Sequence, residues 1–204
     1  MKRVIFKKVA ITSIAVIMSA AVNAQQGKFG AGILGEFSFP LNRAVYEHES
    51  VEVKTSMLQY AIGAKVQYNV IDALRLEGSF AFIAAVKNIG SESAWNSTTA
   101  SVFTFGTNFS VNAHYLFKLG ESGSNISYVY PLAGVTLCKT SDKLMTGIVN
   151  VDLGERKGTG LNIGCGYESH LKERIKSFGE LKFSIIGDEL SRVTLSFGVV
   201  FLFN

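Results

Sequence analysis

Apolar and polar residues alternate with a period of two along much of this chain. Between residues 58 and 70, the even-numbered positions are apolar or aromatic, and the odd-numbered positions are small or polar. Such alternation is typical of a β-strand with two unlike faces. The pattern predicts eight strands, at residues 29–39, 58–70, 74–86, 101–117, 127–137, 160–167, 178–186 and 192–203. In the fifth of these strands the alternation does not indicate which face is polar.

The connections between these strands alternate in length. The links after the first, third and fifth strands are long or irregular, at residues 41–55, 87–100 and 138–159. Those after the second, fourth, sixth and seventh are shorter, at residues 69–73, 118–125, 168–177 and 187–191. Transmembrane barrels have short periplasmic turns and long extracellular loops. The spacing therefore predicts such a barrel with both termini on the periplasmic side.

The size of the side chains decides which face looks outward. The apolar faces carry most of the chain's 15 Phe and 7 Tyr residues, which is too much volume for the narrow interior of an eight-stranded barrel. Reversing the faces would place Lys65, Arg75 and Glu77 in hydrocarbon, where a Lys or Arg costs about 2–4 kcal/mol at mid-membrane. We therefore predict an all-β fold, an eight-stranded antiparallel up-and-down transmembrane β-barrel.

Aromatic residues are expected at both edges of the lipid-facing band, where such barrels carry girdles. The predicted periplasmic girdle consists of Phe29, Tyr68, Tyr115, Phe117, Tyr167, Phe201 and Phe203. The predicted outer girdle consists of Phe37, Phe39, Phe82 and Phe103.

The first 24 residues have the pattern of a secretory signal peptide. A basic start is followed by an apolar run at residues 9–18 and by small residues ending at Ala24, the predicted cleavage site. The run is shorter than the ~20 residues of a membrane-spanning helix, which is the alternative. The predicted division is therefore a signal peptide at 1–24 and an outer-membrane barrel at 25–204.

Removal of this segment changes the charge of the protein. All four of its charged residues are basic, so that 16 of the 20 Lys and Arg remain against 16 Asp and Glu. The net charge falls from +4 to zero. The basic excess therefore gives no reason to expect a nucleic-acid partner.

Several segments resemble small outer-membrane β-barrel proteins of the OmpA/OmpX-like, or porin-family, type. They are residues 68–69 with 74–78, 111–117, 130–135, 162–166 and the aromatic ending 197–203. The resemblance covers essentially the whole mature chain. It implies a monomer in the cell outer membrane whose partners are outer-membrane lipids, lipopolysaccharide and the barrel-insertion machinery, which reads the last strand. Asn204 follows the final Phe and departs from the strictest form of that signal.

The polar face of the strands carries charged residues that must lie inside the barrel. Charges removed from water need partners, so we expect an ion-pair and hydrogen-bond network that plugs the lumen. The alternative is a narrow path for ions or small solutes, with His114 as a pH-sensitive member. The predicted lumen network comprises Lys28, Glu36, Lys65, Arg75, Glu77, His114, Glu180 and Lys182.

No catalytic residue, cofactor site or metal site is predicted. The three histidines, His48, His114 and His170, fall in different parts of the predicted barrel, and none has an evident nucleophile partner. Glu47, Glu49 and Glu52 around His48 offer ligands for a cation, but a solvated loop is the preferred interpretation. A Gly-x-Gly-x-x-Gly match at residues 30–35 lies inside a strand and so predicts no nucleotide site.

We also predict no disulfide, because a hairpin centred near Ile148 would place Cys138 opposite Gly158 and about 20 Å from Cys165. Lys139, Lys143, Arg156 and Lys157 offer contacts to anionic glycolipid headgroups, although solvated surface lysines are the preferred interpretation. The sequence thus favours a non-enzymatic barrel with a structural, surface-interaction or adhesion role through its loops, towards an unknown extracellular ligand. The alternatives are a narrow pore and a soluble periplasmic lipid-binding barrel.

Overall fold

The computed structural model describes residues 28–41, 44–48, 51–55, 57–89, 100–122, 125–146 and 149–203. This part of the chain is built almost entirely of strands. They are β1 (Phe29–Pro40), β2 (Ala44–His48), β3 (Val51–Thr55), β4 (Gln59–Ile71), β5 (Leu74–Ile89), β6 (Ala100–Tyr115), β7 (Phe117–Ser122), β8 (Asn125–Thr146), β9 (Val149–Lys172), β10 (Ile175–Ile185) and β11 (Arg192–Phe203). A four-residue helix, α1 (Gly187–Leu190), joins β10 to β11.

The strands close into a barrel with eight walls. Its order is β1, β4, β5, β6 with β7, β8, β9, β10 and β11, and β11 pairs back with β1. β6 and β7 form one wall because they are separated only by Leu116 and both pair with β8. All these pairings are antiparallel. The predicted eight-stranded antiparallel barrel is confirmed.

The pairing register also fixes how the barrel is staggered. A row of directly paired residues can be followed from Glu36 in both directions round the barrel. Through β4, β5 and β6 the row reaches Thr140 on β8, whereas through β11, β10 and β9 it reaches Tyr130 on the same strand. The two routes thus differ by ten residues on one strand, which is the shear of the barrel. For eight strands this corresponds to a strand tilt of about 40°. Each row of neighbours therefore climbs towards one end as it passes from β1 through β4, β5 and β6.

The two ends of the barrel differ. One end carries the turns at residues 72–73 and 173–174, the link at 123–124 and the two ends of the barrel chain; we call it the short-turn end. The other carries the links at 41–58, 90–99, 147–148 and 186–191; we call it the long-loop end. Within the first of these links, β2 and β3 form a separate hairpin.

The outer surface is apolar and aromatic. Ile62 is 71% exposed and Phe82 61% exposed, although both belong to the central part of the sheet. Residues of the two predicted aromatic girdles all lie on this outer surface, where Phe37 stacks against Phe197 with ring centroids 5.7 Å apart. Outward rings are the opposite of what a soluble lipid-binding barrel requires, since such a barrel keeps its apolar side chains inside.

Two strands are longer than the sequence pattern indicates. Residues 138–159 were expected to form a long loop, but β8 and β9 continue as a paired hairpin up to Thr146 and Val149. The prediction was wrong because the apolar alternation ends where the outer surface becomes polar. The backbone hydrogen bonds between the two strands continue beyond that point. The expected register is nevertheless confirmed, with Cys138 opposite Gly158. Cys138 is buried, Cys165 is exposed, and both thiols are free.

Among the described residues, no helix is long and apolar enough to cross a membrane. The predicted signal peptide at 1–24 lies outside the described residues.

Candidate functional site

Two basic side chains enclose one carboxylate at the short-turn end of the lumen. Glu168, on β9, accepts hydrogen bonds from Arg75 Nη1 at 2.5 Å and from Lys176 Nζ at 3.1 Å. All three side chains are at most 3% exposed. They come from β5, β9 and β10, which are brought together only by closure of the barrel. Glu168 therefore binds together three walls of the lumen through charge-assisted hydrogen bonds.

A second group of charges lies one step deeper. Lys65 Nζ on β4 lies 2.5 Å from Glu77 Oε2 and 2.9 Å from Glu180 Oε1. The Tyr130 hydroxyl donates to the same Glu180 oxygen at 3.0 Å. Lys65 Nζ also lies 3.5 Å from the centre of the Phe178 ring, a cation–π contact.

The network ends on β1 and β11. Lys182 Nζ donates to Glu36 Oε1 at 2.9 Å, and the Ser196 hydroxyl donates to the same oxygen at 3.0 Å. Lys182 also lies 3.9 Å from Glu180 Oε2, which connects this pair to the second group. The chain of ion pairs thus spans the lumen from wall to wall.

His114 joins the two groups. Arg75 approaches His114 Nδ1 with Nε at 3.3 Å and Nη2 at 3.1 Å, so Nδ1 acts as the acceptor. A neutral ring with an accepting Nδ1 carries its proton on Nε2, which lies 3.8 Å from Glu77 Oε2. The ring stacks on Tyr130, with centroids 4.8 Å apart and planes 8° from parallel. His114 is therefore held through Nδ1 and on one face of its ring, whereas Nε2 has no hydrogen-bond partner among the described residues.

The charges of this network balance. The basic members are Lys65, Arg75, Lys176 and Lys182, and the acidic members are Glu36, Glu77, Glu168 and Glu180. Four positive and four negative charges leave no net charge in this network. An equal and mutually paired set is what burial of charges requires, because an unpaired charge in this position costs several kcal/mol.

A glycine provides space for the aromatic member. A Cβ atom at Gly166 would lie 2.5 Å from Cε2 and Cζ of the Tyr130 ring. Tyr130 is fully buried, and it can face inward only because β9 has no side chain at this position. The ring is thereby positioned to stack on His114 and to donate to Glu180.

Glu77, His114 and Glu180 are the group of described residues whose geometry fits a metal ion, with ligand atoms within 4.8 Å of one another. The Lys65 ammonium, however, contacts both carboxylates. The Nε2 proton on His114 also opposes coordination through that atom. The position of a cation is thus taken by a side chain of the protein, and the cluster is an ion-pair site.

The long-loop half of the lumen is different in character. Ile186 and Leu190, at the two ends of α1, pack on Ile83 and Cys138 inside the barrel. Next to them, Arg192 Nη1 contacts Gln59 Oε1 and Cys138 Sγ. Ser191 supports the turn by donating to Gly187 O and by accepting from the Ile186 amide. An apolar layer therefore covers the charged network on the long-loop side.

Comparison with protein families gives a match over almost the whole chain. The model described as "Outer membrane protein beta-barrel domain" matches residues 9–203. The chain belongs to this family. No curated protein matches the sequence.

Solved outer-membrane barrels have the same fold. One similar structure is Ail, the attachment invasion locus protein of Yersinia pestis, in complex with the heparin analogue sucrose octasulfate (17% identity, TM-score 0.52, covering 88% of this chain and all of Ail). Another is the N-terminal β-barrel domain of OprF from Pseudomonas aeruginosa (17% identity, TM-score 0.51, covering 87% of this chain and all of that domain). Membership of the family places this barrel in the outer membrane, and the two solved barrels share its fold.

In this outer-membrane barrel, most of the sequence-predicted network residues come together. Glu36, Lys65, Arg75, Glu77, His114, Glu180 and Lys182 are all at most 4% exposed and contact one another as described above. Lys28 is the exception, since it is exposed one residue before β1 begins. The prediction failed there because the alternation was continued one residue past the end of the strand.

Sequence reasoning missed Glu168, Lys176, Tyr130 and Arg192. Glu168 and Lys176 lie just beyond the predicted strands 160–167 and 178–186, but they have the same parity as the inward residues of β9 and β10. Continuing the period of two would have found both. Tyr130 belongs to the strand whose polar face was undetermined, and Arg192 stands at the edge of its predicted strand. In the first long loop, Glu47 lies opposite Glu52 and His48 opposite Val51, while Glu49 lies outside the described residues.

Proposed function

We propose that this protein is a non-enzymatic outer-membrane barrel that acts at the cell surface through its long-loop end, in a surface-interaction or adhesion role. One observation carries the proposal: part of the barrel wall continues far beyond the length needed to cross a membrane. About 9–11 residues suffice for a transmembrane strand. β8 has 22 residues and β9 has 24.

The additional length lies at the long-loop end. β8 and β9 stay paired up to Thr146 and Val149, and β6 pairs with β8 up to Ser101 and Met145. β5 and β6 pair up to Ile89 and Ala100. Four neighbouring strands therefore form a wall that extends from one side of the barrel, which we call the extension.

The extension has a packed inner side. Met57, Ala85 and Val102 form a buried cluster there, with Leu144 and Leu153 against it. Beside this cluster, Asp142 accepts a hydrogen bond from Thr104 and forms an ion pair with Arg156 Nη2 at 2.8 Å. Side chains that are buried and paired keep a sheet rigid, and a rigid scaffold is the usual support for binding loops.

The filled lumen supports the same proposal. A balanced set of buried ion pairs at the short-turn half and an apolar layer at the long-loop half both oppose passage of a charged solute. If the barrel interior does not transport, the function has to lie on the exposed parts of the chain. The candidates are the links at 41–58 and 90–99 and the tip of the β8–β9 hairpin.

Export and orientation belong to the proposal. The signal peptide would be cleaved after Ala24, the short turns would face the periplasm, and the last strand would be read by the barrel-insertion machinery as a monomer enters the outer membrane. N-terminal sequencing of the protein from outer-membrane fractions tests this step. A mature start at Gln25 is expected, and an intact start at Met1 would contradict it.

The adhesion role is tested with bacteria that display the protein. In one variant the residues 44–55 and 142–153 are replaced by short Asn-Gly turns, while the barrel is kept. Since Ail is seen with a heparin analogue, heparin-coated surfaces are the first probe, followed by extracellular-matrix coatings. Binding above that of non-displaying cells, lost in the variant, is expected. Equal binding by both, with each still shifting in mobility on heating in a denaturing gel, would contradict the role.

A narrow pore is the second candidate, and one observation favours it. Several buried polar atoms along the lumen lack a hydrogen-bond partner, among them Gln67 Nε2, Asn112 Nδ2 and Thr140 Oγ1. Such atoms are usually satisfied by water, and water in the lumen would provide a path for ions. Conductance steps in a planar bilayer that change with Glu77→Gln or Arg75→Gln would support the pore and contradict the plugged barrel.

A further inference from the structure

A groove interrupts the aromatic outer surface of the barrel. It measures about 400 Å³ and lies across β4, β5 and β6. Its floor is Ala84, which faces Tyr60 on one neighbouring strand and Phe105 on the other. Ile62 and Phe82, which also face each other, line the lower part. A small side chain between two rings therefore produces an apolar slot that opens towards lipid.

Basic residues stand beside this groove on the same surface. Lys139 on β8 and Lys157 on β9 are exposed and lie directly opposite each other. Like charges in directly opposed positions destabilise a sheet. One acidic neighbour, Glu155, forms an ion pair with Lys139 at 2.7 Å. Among the described residues, Lys157 has no ion-pair partner. A positive charge is thus maintained here at a cost to the isolated protein.

The register connects the groove to the lysines. Ile62, Phe82, Thr107, Lys139 and Lys157 are successive neighbours in one row across five strands. Phe82 and Lys139 are two strands apart, which is roughly 10 Å. Because of the stagger, this row climbs towards the long-loop end as it passes from β4 to β9. The apolar groove therefore lies deeper in the membrane than the two lysines.

The residues around the lysines mark the edge of the apolar band. Below Lys139, the next outward residue on β8 is Leu137, which is 51% exposed. Below Lys157, the outward residues on β9 are Thr159 and then Leu161, which is 64% exposed. Above them, the outer positions are Ser141, Lys143 and Glu155. Lys139 and Lys157 thus lie at the level where acyl chains give way to headgroups.

We propose that this surface binds a phosphorylated, multiply acylated glycolipid of the outer leaflet, the chemistry of lipid A. Lys139 and Lys157 would contact a phosphate group, and an acyl chain would fill the groove above Ala84. A ligand with a fixed anionic head and an apolar tail matches both features and their relative depth. A phosphate group would also remove the repulsion between the opposed lysines. The proposal depends on the orientation with the long loops outside, but not on adhesion.

Binding of purified lipid A to the mature protein in detergent, followed by native mass spectrometry, tests this assignment. The double variant K139Q/K157Q is expected to bind lipid A about 30-fold more weakly, since two basic residues near a lipid surface together contribute about 2 kcal/mol. The matched control K172Q/R174Q removes two basic residues at the short-turn end, where both are exposed. It should bind as the unmodified protein does.

Further measurements test the apolar groove separately from the lysines and distinguish lipid A from other phosphate-containing ligands. A84F fills the groove from the outside and is expected to weaken lipid A, while inorganic phosphate should not bind measurably to any variant. Phosphatidylglycerol should bind weakly and equally to all variants. Every variant must keep its heat-dependent gel shift; if K139Q/K157Q does not fold, Lys157→Gln alone replaces it.

Three results would overturn the inference. Equal losses in K139Q/K157Q and in K172Q/R174Q would show non-specific attraction. Unchanged lipid A binding in K139Q/K157Q would remove the phosphate contact. A loss of heparin binding in K139Q/K157Q without a loss of lipid A would assign the lysines to a soluble polyanion instead. A failed adhesion assay with intact lipid A binding would contradict only the proposed function.

Discussion

The inward-facing positions carry paired charged side chains in one half of the lumen and an apolar layer in the other half. Near the short-turn end, eight charged side chains pair across the barrel, and Glu168 alone contacts two cations. Near the long-loop end, Ile186 and Leu190 pack on Ile83 and Cys138. The charged half is stable only while each partner is present, whereas the apolar half tolerates changes that keep its volume. The charged layer and the apolar layer therefore respond differently to substitution, although both contribute to stability.

The largest effect is expected from Glu168→Gln in the charged half. The substitution keeps the shape but leaves Arg75 and Lys176 buried without their counter-ion. Breaking a buried pair costs about 3–5 kcal/mol. Urea unfolding in lipid vesicles, monitored by the mobility of unheated samples on a denaturing gel, measures the loss. A cost below about 1 kcal/mol would show that the pairs contribute little.

Leu190→Ala tests the apolar half. Truncation of this buried leucine should lower the free energy of unfolding by about 2–3 kcal/mol. In a Cys165→Ser background it should also speed the reaction of Cys138 with a water-soluble maleimide, because α1 covers that thiol. Leu195→Ala, which truncates a leucine on the outer face that is 46% exposed, is the control. Similar labelling rates in both variants would mean that α1 does not close the lumen.

Gly166→Ala tests how tightly the charged half is packed. The added Cβ would meet the Tyr130 ring at 2.5 Å, so a cost of about 1–3 kcal/mol is expected from overpacking. Gly179→Ala on the adjacent strand is a matched control, because no atom lies within 4 Å of its Cβ position. If both variants unfold at the same urea concentration, Tyr130 is not confined as described.

The smallest effect is expected from Glu155→Gln outside the lumen. Its ion pair with Lys139 is 46% and 58% exposed, and exposed pairs contribute about 0.2–1 kcal/mol. The same urea experiment should give a difference within this range, reduced further at high salt. A loss as large as that of Glu168→Gln would remove the contrast between paired charges inside and outside the barrel.

How much of the site was predictable depended on where each residue lies in its strand. Lys65, Glu77 and Glu180 lie well inside strands with clear alternation, and their inward position follows from parity alone. Glu168 and Lys176 lie where apolar alternation has ended, so the strand limits drawn from hydrophobicity excluded them. Residues 138–159 were taken for a loop for the same reason. Backbone pairing depends on a neighbouring strand and can continue when lipid no longer selects the outer residues.

The amino-acid sequence alone predicts the eight walls of the barrel, the face occupied by residues in clearly alternating strands and the outward position of most aromatic rings. The physical reason is local: successive side chains of a strand point to opposite faces, and large rings do not fit inside eight strands. Only closure of the barrel brings particular charges together, such as Arg75 and Glu168, which lie 93 positions apart in the sequence. The tertiary structure also places Lys139 opposite Lys157 beside an apolar groove. Those contacts depend on the ten-residue stagger with which the barrel closes, and that stagger is a property of all eight walls together.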